Sequence, residues 1–316
     1  MPPLRTMRLR MRSVRNISQV TRALEAVSAS KVRRAQQAVL ATRAYAGKAY
    51  QVLQHLGNQP GSAASLHPLL QHRETVKNIT VVLVTSDRGL CGAYNTNMIR
   101  AAMQFVRAQK VPVKFVAVGK KGRDMLLRRG QMLVAEFINL PGNPIFADVS
   151  AIGELAVQEY LSGRADEVYL AYTTYINTLR QEPGVHPLLP LRPQGAEARK
   201  AAGLAPGAVE RSGPAAAYIY EPSQEDLLDI IVPRFTALQV YQAILEAAAS
   251  EHSARMVAMR NATDSAKELL GALQLGYNKA RQLAITNDLL DIVGGVEALS
   301  KVQVIHSAAE AAAEPK

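Results

Sequence analysis

The chain has 316 residues, 37 Lys and Arg against 26 Asp and Glu for a formal net charge of +11, 48% hydrophobic residues, one cysteine and no tryptophan. Its charged fraction of 20% and mean hydropathy of −0.03 exclude wholesale disorder. The single Cys91 excludes an internal disulfide or a multi-thiolate metal site and fits a reducing compartment, and no apolar run reaches the roughly 18 residues of a membrane span.

The first element is basic. Arg5, Arg8, Arg10, Arg12, Arg15, Arg22, Lys31, Arg33, Arg34, Arg43 and Lys48 are opposed within residues 1–48 by Glu25 alone, so this segment holds +10 of the +11. Such a segment suits nucleic acid, anionic lipid or an acidic protein partner, or is simply a solvated helix face. The start MPPLRTMRLRMRSVRN has no apolar run behind it and is not a secretory signal. An organelle transit peptide could also be Arg-rich, but here helical periodicity begins inside the basic stretch and continues. No proline occurs between Pro3 and Pro60, so nothing stops a helix there. Residues 1–57 are expected to form one helix with Ile17, Val20, Leu24 and Val27 facing a partner. A stutter would then shift the phase to Val32, Ala35 and Val39.

Gly57–Leu66 reads as a linker, and residues 58–222 as a central domain of alternating strands and helices. Asn78–Ser86 is a buried strand, followed by a Gly-rich turn and an amphipathic helix from Asn95 to about Gln109. Lys114–Gly119 is a second strand, Lys121–Arg129 a short helix, Met132–Ile138 a third strand, Ala147–Leu161 a helix and Glu167–Ile176 a long strand. Arg192–Pro214 is an Ala, Gly and Pro loop, and Ala216–Glu221 a last strand. Strands separated by helices imply an α/β fold with a doubly wound, mostly parallel sheet.

Residues 223–305 are expected to form a second long helix, with 306–316 a frayed tail. Leu238, Tyr241, Leu245, Ala248, His252, Met259, Ala266, Leu273, Ala280 and Ala284 fall on or near 3-4 spacing, the period of a coiled-coil seam. Arg255 occupies one position of that series, and a charge there is tolerated only when paired. A helix of about 60 residues spans roughly 90 Å, longer than the roughly 50 Å diameter of a compact body of this size. It must protrude, and the N-terminal helix is the natural antiparallel partner.

Catalytic chemistry has little foothold. The turn Thr85–Asn95 lies after a strand and before a helix, where α/β folds bind phosphate. It lacks G-x-G-x-x-G and G-x-x-x-x-G-K-[ST], so it reads as structural. Cys91 could be activated at a helix mouth, yet no partner can be assigned. His55, His67 and His72 lack zinc spacing. An α/β nucleotide-dependent enzyme with coiled-coil arms and a basic coiled-coil nucleic-acid binder stay open as alternatives. The second lacks aromatic residues before Tyr45 for stacking on single strands.

Three segments carry a specific resemblance: RSVRNISQVTRALEAVSASKVRRAQ (12–36), SDRGLCGAYN (86–95), and SEHSARMVAMRNATDSAKELL with LQLGYNKARQLAITNDLLDIVGG (250–270 and 273–295). YEPS (220–223) fits as well. Together they resemble the gamma subunits of F-type ATP synthases, over residues 8 to 298. The resemblance implies an antiparallel coiled coil of the terminal helices with an α/β domain at its base, acting as a rotor shaft. It implies partners in the alpha and beta subunits of a hexamer, the epsilon subunit and the membrane c-ring. It implies no cofactor, no metal, no nucleic acid and no chemistry of its own, at the cytoplasmic face of a bacterial plasma membrane. By resemblance, Leu24 stands where the family often has Met facing a beta subunit. Lys31, Arg33 and Arg34 form a basic patch toward acidic stator surface, and Arg255, Arg281, Gln282, Thr286 and Asp288 match polar contact positions of the shaft. The tail after Gly295 departs from the family, and no paired-cysteine insertion for thiol control is present.

Overall fold

A computed structural model describes residues 4–57, 67–191 and 224–312. The chain divides into two compact units, Leu24–Met259 and Met1–Ala23 with Arg260–Lys316.

The larger unit is built on a five-stranded sheet. Its elements are β1 (Ile79–Val84), α2 (Tyr94–Ala108), β2 (Val113–Val118), α3 (Lys120–Arg128), β3 (Met132–Phe137), α4 (Phe146–Leu161), β4 (Glu167–Tyr175) and β5 (Gln181–Leu189). The helix α1 (Leu4–Gly57) precedes them and α5 (Gln224–Ala312) follows. The strand order is β3-β2-β1-β4-β5, with the first four strands parallel and β5 antiparallel to β4. β1 lies mid-sheet and is buried at all six positions, as a continuous ITVVLV run requires of a strand covered on both faces. Helices cover the sheet as a doubly wound fold demands. Met98, Ile99, Ala102 and Met103 of α2 and Leu126 of α3 pack on Val81, Leu83 and Phe115. Val149, Ile152 and Ala156 of α4, with Val232, Phe235, Val240 and Ile244 of α5, pack on Val82, Val116 and Leu170.

The α/β elements from Asn78 to Ile176 follow the sequence pattern to within a residue or two, and the expected mostly parallel sheet is found. β5 is new. Its sequence QEPGVHPLL contains two prolines and a glycine, which break any β pattern, and an edge strand is where a sheet tolerates them. Asn177 forms the turn into it, its side-chain oxygen accepting the Leu179 and Arg180 N–H groups at 2.9 and 2.7 Å. The expected strand at 216–221 and the loop at 192–214 lie outside the described residues.

In the smaller unit, two helical stretches pair antiparallel. Thr21 and Thr263 share a hydroxyl hydrogen bond at 2.7 Å, and Arg8 donates to the Tyr277 hydroxyl at 2.8 Å. Residue numbers therefore rise on one helix as they fall on the other. The interior positions of α5 here, Thr263, Ala266, Leu270, Leu273, Tyr277, Ala280 and Ala284, keep strict 4-3 spacing and agree with the expected seam. α1 agrees only in part. Met7, Met11, Val14, Ser18 and Thr21 are among its buried or half-buried positions, and the same 4-3 phase continues in the larger unit through Ser28 and the expected Val32, Ala35 and Val39. Ile17, Val20 and Val27 are instead 52–58% exposed. The phase never shifts, so there is no stutter. Small hydroxyl residues hold the seam because they permit close approach and satisfy each other or the preceding turn, as Ser28 does by donating to the Leu24 carbonyl at 2.7 Å.

Candidate functional site

The parallel strands leave a crevice at their C-terminal ends where the chain order reverses, between β1 and β4. In open α/β sheets this is the ligand position. The Thr85–Asn95 turn forms one wall of it. Ser86 donates its backbone N–H to the Asn95 side-chain oxygen at 3.0 Å, and the Asn95 amide donates back to the Ser86 hydroxyl at 2.7 Å. Asp87 accepts N–H groups from Lys120 and Asn139, both at 3.0 Å, so one carboxylate ties together the loops after β1, β2 and β3. Thr85 accepts the Gly122 N–H at 2.8 Å, and the Ser86 carbonyl accepts the Lys121 N–H at 3.1 Å.

These bonds decide what the turn can do. The N-terminus of α3 would offer free N–H groups to a phosphate. Three of them already point at Asp87, Ser86 and Thr85, and a carboxylate occupies the anion position. Two glycines make this closure possible. Gly119 has φ +96 and its Cβ would lie 2.3 Å from the Thr85 carbonyl oxygen, while a Cβ on Gly122 would lie 2.7 Å from the Thr85 hydroxyl. Cys91 is buried within this network, its sulfur 3.2 Å from the Asn95 amide, with no histidine bonded to it among the described residues.

The chain's own helix fills the crevice. Between Phe235 and Ser250, α5 is buried at every position except Tyr241 and Ala248, which are half-buried. Such all-round burial marks a helix inside a domain. Tyr94 donates to the Ala247 carbonyl at 3.2 Å, and Ser250 donates to the Thr173 carbonyl at the end of β4 at 3.0 Å. Full burial pushes the Tyr94 phenol well above its ordinary pKa, so it remains a hydrogen-bond donor. A Cβ on Gly153 of α4 would lie 2.7 Å from Ala237 Cα, so α4 and α5 touch nearly backbone to backbone. What remains beside α5 is a cleft of about 330 Å³ whose polar lining includes Lys31, Asp87, Arg88, Glu251, His252 and Arg255.

Arg255 lies here and not in the coiled-coil seam, which passes one residue later through Met256 and Met259. It is paired, as a lodged charge must be, with Glu251 at 2.7 Å. His252 is 6% exposed, and its Nδ1 lies 3.3 Å from an Arg255 nitrogen. Because guanidinium only donates, Nδ1 accepts and the ring proton sits on Nε2. Burial, then the Arg255 and Lys31 charges, push the His252 pKa down to about 4.

The other sequence-selected residues are not gathered into this cleft. Leu24 is half-buried on α1, and Lys31, Arg33 and Arg34 are exposed, Lys31 alone reaching the cleft rim. Arg281, Gln282, Thr286 and Asp288 are all exposed on α5, and the Thr286 hydroxyl donates to the Gln282 carbonyl at 3.0 Å. Pattern reading missed the apolar surfaces beside them. On α5, Leu283, Ile285, Leu289, Leu290, Ile292, Val293, Val296 and Leu299 are 44–69% exposed. They could have been found from the sequence, since apolar residues crowd both sides of the seam phase after Ala284.

An α/β unit whose ligand crevice is closed by its own long helix, with a helical pair and large exposed apolar faces, defines an assembly component. A family model described as ATP synthase matches residues 3–299. The ATP synthase gamma chain of Dehalococcoides mccartyi (strain CBDB1) is 47% identical over 300 residues, 95% of this chain and all of that one. The gamma chain of Roseiflexus castenholzii (strain DSM 13941 / HLO8) is 45% identical over 307 residues, covering 96% of this chain and all of that one. The chain belongs to the ATP synthase gamma-chain family. Among solved structures, a chain of the Tetrahymena thermophila mitochondrial ATP synthase central stalk/c-ring is 27% identical with a TM-score of 0.58, over 77% of this chain and 99% of that one. A chain of the Euglena gracilis mitochondrial ATP synthase, at 22% identity and a TM-score of 0.64 over 95% of both, shares the fold.

Proposed function

We propose that the chain is the central-stalk rotor of a bacterial F-type ATP synthase, coupling proton flow through the membrane sector to ATP synthesis and hydrolysis on the beta subunits. The observation that carries this reading is the exposed apolar surface of α5 from Leu283 to Leu299. Apolar area of that extent requires a partner, and the hollow of an alpha–beta hexamer supplies one. The exposed Ile17, Val20 and Val27 on α1 extend the argument to the other helix. In this reading residues 1–57 and 223–305 are the shaft, 58–222 the base that meets the epsilon subunit and the c-ring, and 306–316 a tail. Leu24, Lys31, Arg33, Arg34, Arg281, Gln282, Thr286 and Asp288 are its contact residues, with the basic ones steering toward acidic stator surface.

The subunit moves without reacting. Support for that comes from the Asp87-capped N-terminus of α3 and from α5 lying in the crevice where a nucleotide would sit. No described helix is long and apolar enough to cross a membrane; the complex would be held at the cytoplasmic face of the plasma membrane through the c-ring. The test is reconstitution. The purified chain should show no ATPase activity, enter an alpha–beta hexamer in a single copy, and confer rotation on it. A chain that does not bind the hexamer, or that hydrolyses ATP alone, defeats the proposal.

A further inference from the structure

The rotor reading requires torque to pass between α5 and the α/β unit, and it matters how the helix is kept from twisting in its socket. Apolar burial around 235–250 resists withdrawal, but it is non-directional and offers little against rotation about the helix axis. Directional bonds must supply that resistance. Tyr94 and Ser250 provide two close to the helix backbone. Arg255 provides another at the end of a long side chain, where the same force opposes a larger torque. Its Nε and one amino group lie 3.3 and 3.2 Å from the Gly89 carbonyl, and that amino group lies 3.4 Å from the Arg88 carbonyl. Glu251, one turn back, holds the guanidinium at 2.7 Å, and His252 accepts from its other amino group. The head is therefore gripped from its own helix and cannot swing away from the turn.

The turn is shaped to meet it. Leu90 adopts φ 62, a left-handed conformation uncommon for a bulky residue, while its side chain is 65% exposed. Burial of Leu90 does not offset that cost. The conformation does set the direction of the Gly89 carbonyl, and the Ser86–Asn95 cross-brace stiffens the loop behind it. Strain held at an exposed position with no packing return is a mark of function.

We infer that Arg255, held by Glu251, clamps α5 to the Arg88–Gly89 carbonyls and is a positioning residue for torque transfer within this chain, acting on the turn and not on the hexamer. This rests on the rotor reading, so the experiment separates the two. The whole complex carrying Arg255→Ala or Arg255→Lys is reconstituted in vesicles, and ATP hydrolysis and ATP-driven proton uptake are measured together. Arg255→Ala should keep hydrolysis within about twofold while protons moved per ATP fall several-fold. Arg255→Lys should be intermediate, since one ammonium cannot span two carbonyls as a planar fork does. An unchanged proton-to-ATP ratio, or hydrolysis falling in parallel with uptake, overturns the clamp in favour of a hexamer contact or no role. Failure of the unsubstituted chain to couple would instead overturn the rotor reading. Should Arg255→Ala not assemble, hydrogen exchange on the full-length Arg255→Lys chain decides. The hydrogen-bonded amides that hold the turn, those of Ser86, Tyr94, Lys120 and Asn139, should exchange about tenfold faster with those of Phe115–Ala117 unchanged, and equal protection across the turn refutes the clamp.

Discussion

Two stretches of α5 have similar composition and opposite surroundings. Residues 235–250 and 283–299 are both rich in Ala, Leu, Ile and Val, yet the first is enclosed by its own chain and the second is exposed over most of its apolar side chains. Composition does not separate them. What separates them is whether a sheet, a neighbouring helix and a hydrogen-bonded turn from the same chain surround the helix. The first stretch is a socket joint, held by Gly153 at backbone distance and by Tyr94 and Ser250. The second is a surface awaiting another molecule.

The comparison can be broken most severely at Ile244, which is 4% exposed against the sheet. Ile244→Ala should cost about 2–5 kcal/mol of stability in urea unfolding of the isolated chain. A loss below 1 kcal/mol would mean the socket is loosely packed.

The next largest effect is on pH. His252 is neutral in the fold, with its pKa lowered from 6.5 to about 4. Its stabilising contribution is fully present above pH 6.5. It is lost as pH falls from 6.5 toward 4, because there the unfolded chain binds a proton that the native chain refuses. The full loss is about 3 kcal/mol, and His252→Gln should flatten that part of the stability–pH curve. Equal slopes for both proteins would show the ring is solvated.

A smaller effect belongs to the helical pair. Thr21→Ala removes one partner of the hydroxyl bond to Thr263 and should cost about 1 kcal/mol, read as earlier loss of helical signal on heating. The smallest expected change sharpens the comparison best. Leu290 is 63% exposed, so Leu290→Ala should leave the isolated chain within about 0.5 kcal/mol of the original. The same substitution should weaken assembly with the hexamer, measured by dissociation of the complex. If it destabilises the isolated chain as Ile244→Ala does, the exposed stretch is covered by this chain after all.

Much of this molecule was legible from its pattern. Strands β1 to β4 and the helices between them follow from apolar runs punctuated by Gly and Pro; burial on both faces demands a continuous apolar run at the central β1, while the edge strand β3 alternates exposed and half-buried positions. β5 escaped because Pro183, Gly184 and Pro187 oppose strand formation locally, and only pairing with β4 overrides them. On α1 three apolar residues misled. Ile17, Val20 and Val27 looked like part of the seam, while Ser18, Thr21 and Ser28 take those places beside Met11, Val14 and Val32, because an antiparallel pair at close range accepts small side chains that can bond across or back to the helix. Arg255 was legible as a charge needing a partner. That its partners are Glu251 and two carbonyls of a turn some 166 residues away could not be read.

The sequence by itself determined the alternation of strands and helices, the long proline-free runs between Pro3 and Pro60 and between Pro233 and Pro315, and the concentration of positive charge on the first of them. These depend on residues near one another along the chain. Which face of α1 is covered, that α5 closes the crevice at the sheet's switch point, and that Asp87 stands where a phosphate could have bound were decided only by tertiary structure. Each joins groups far apart in sequence, and no local preference encodes their meeting.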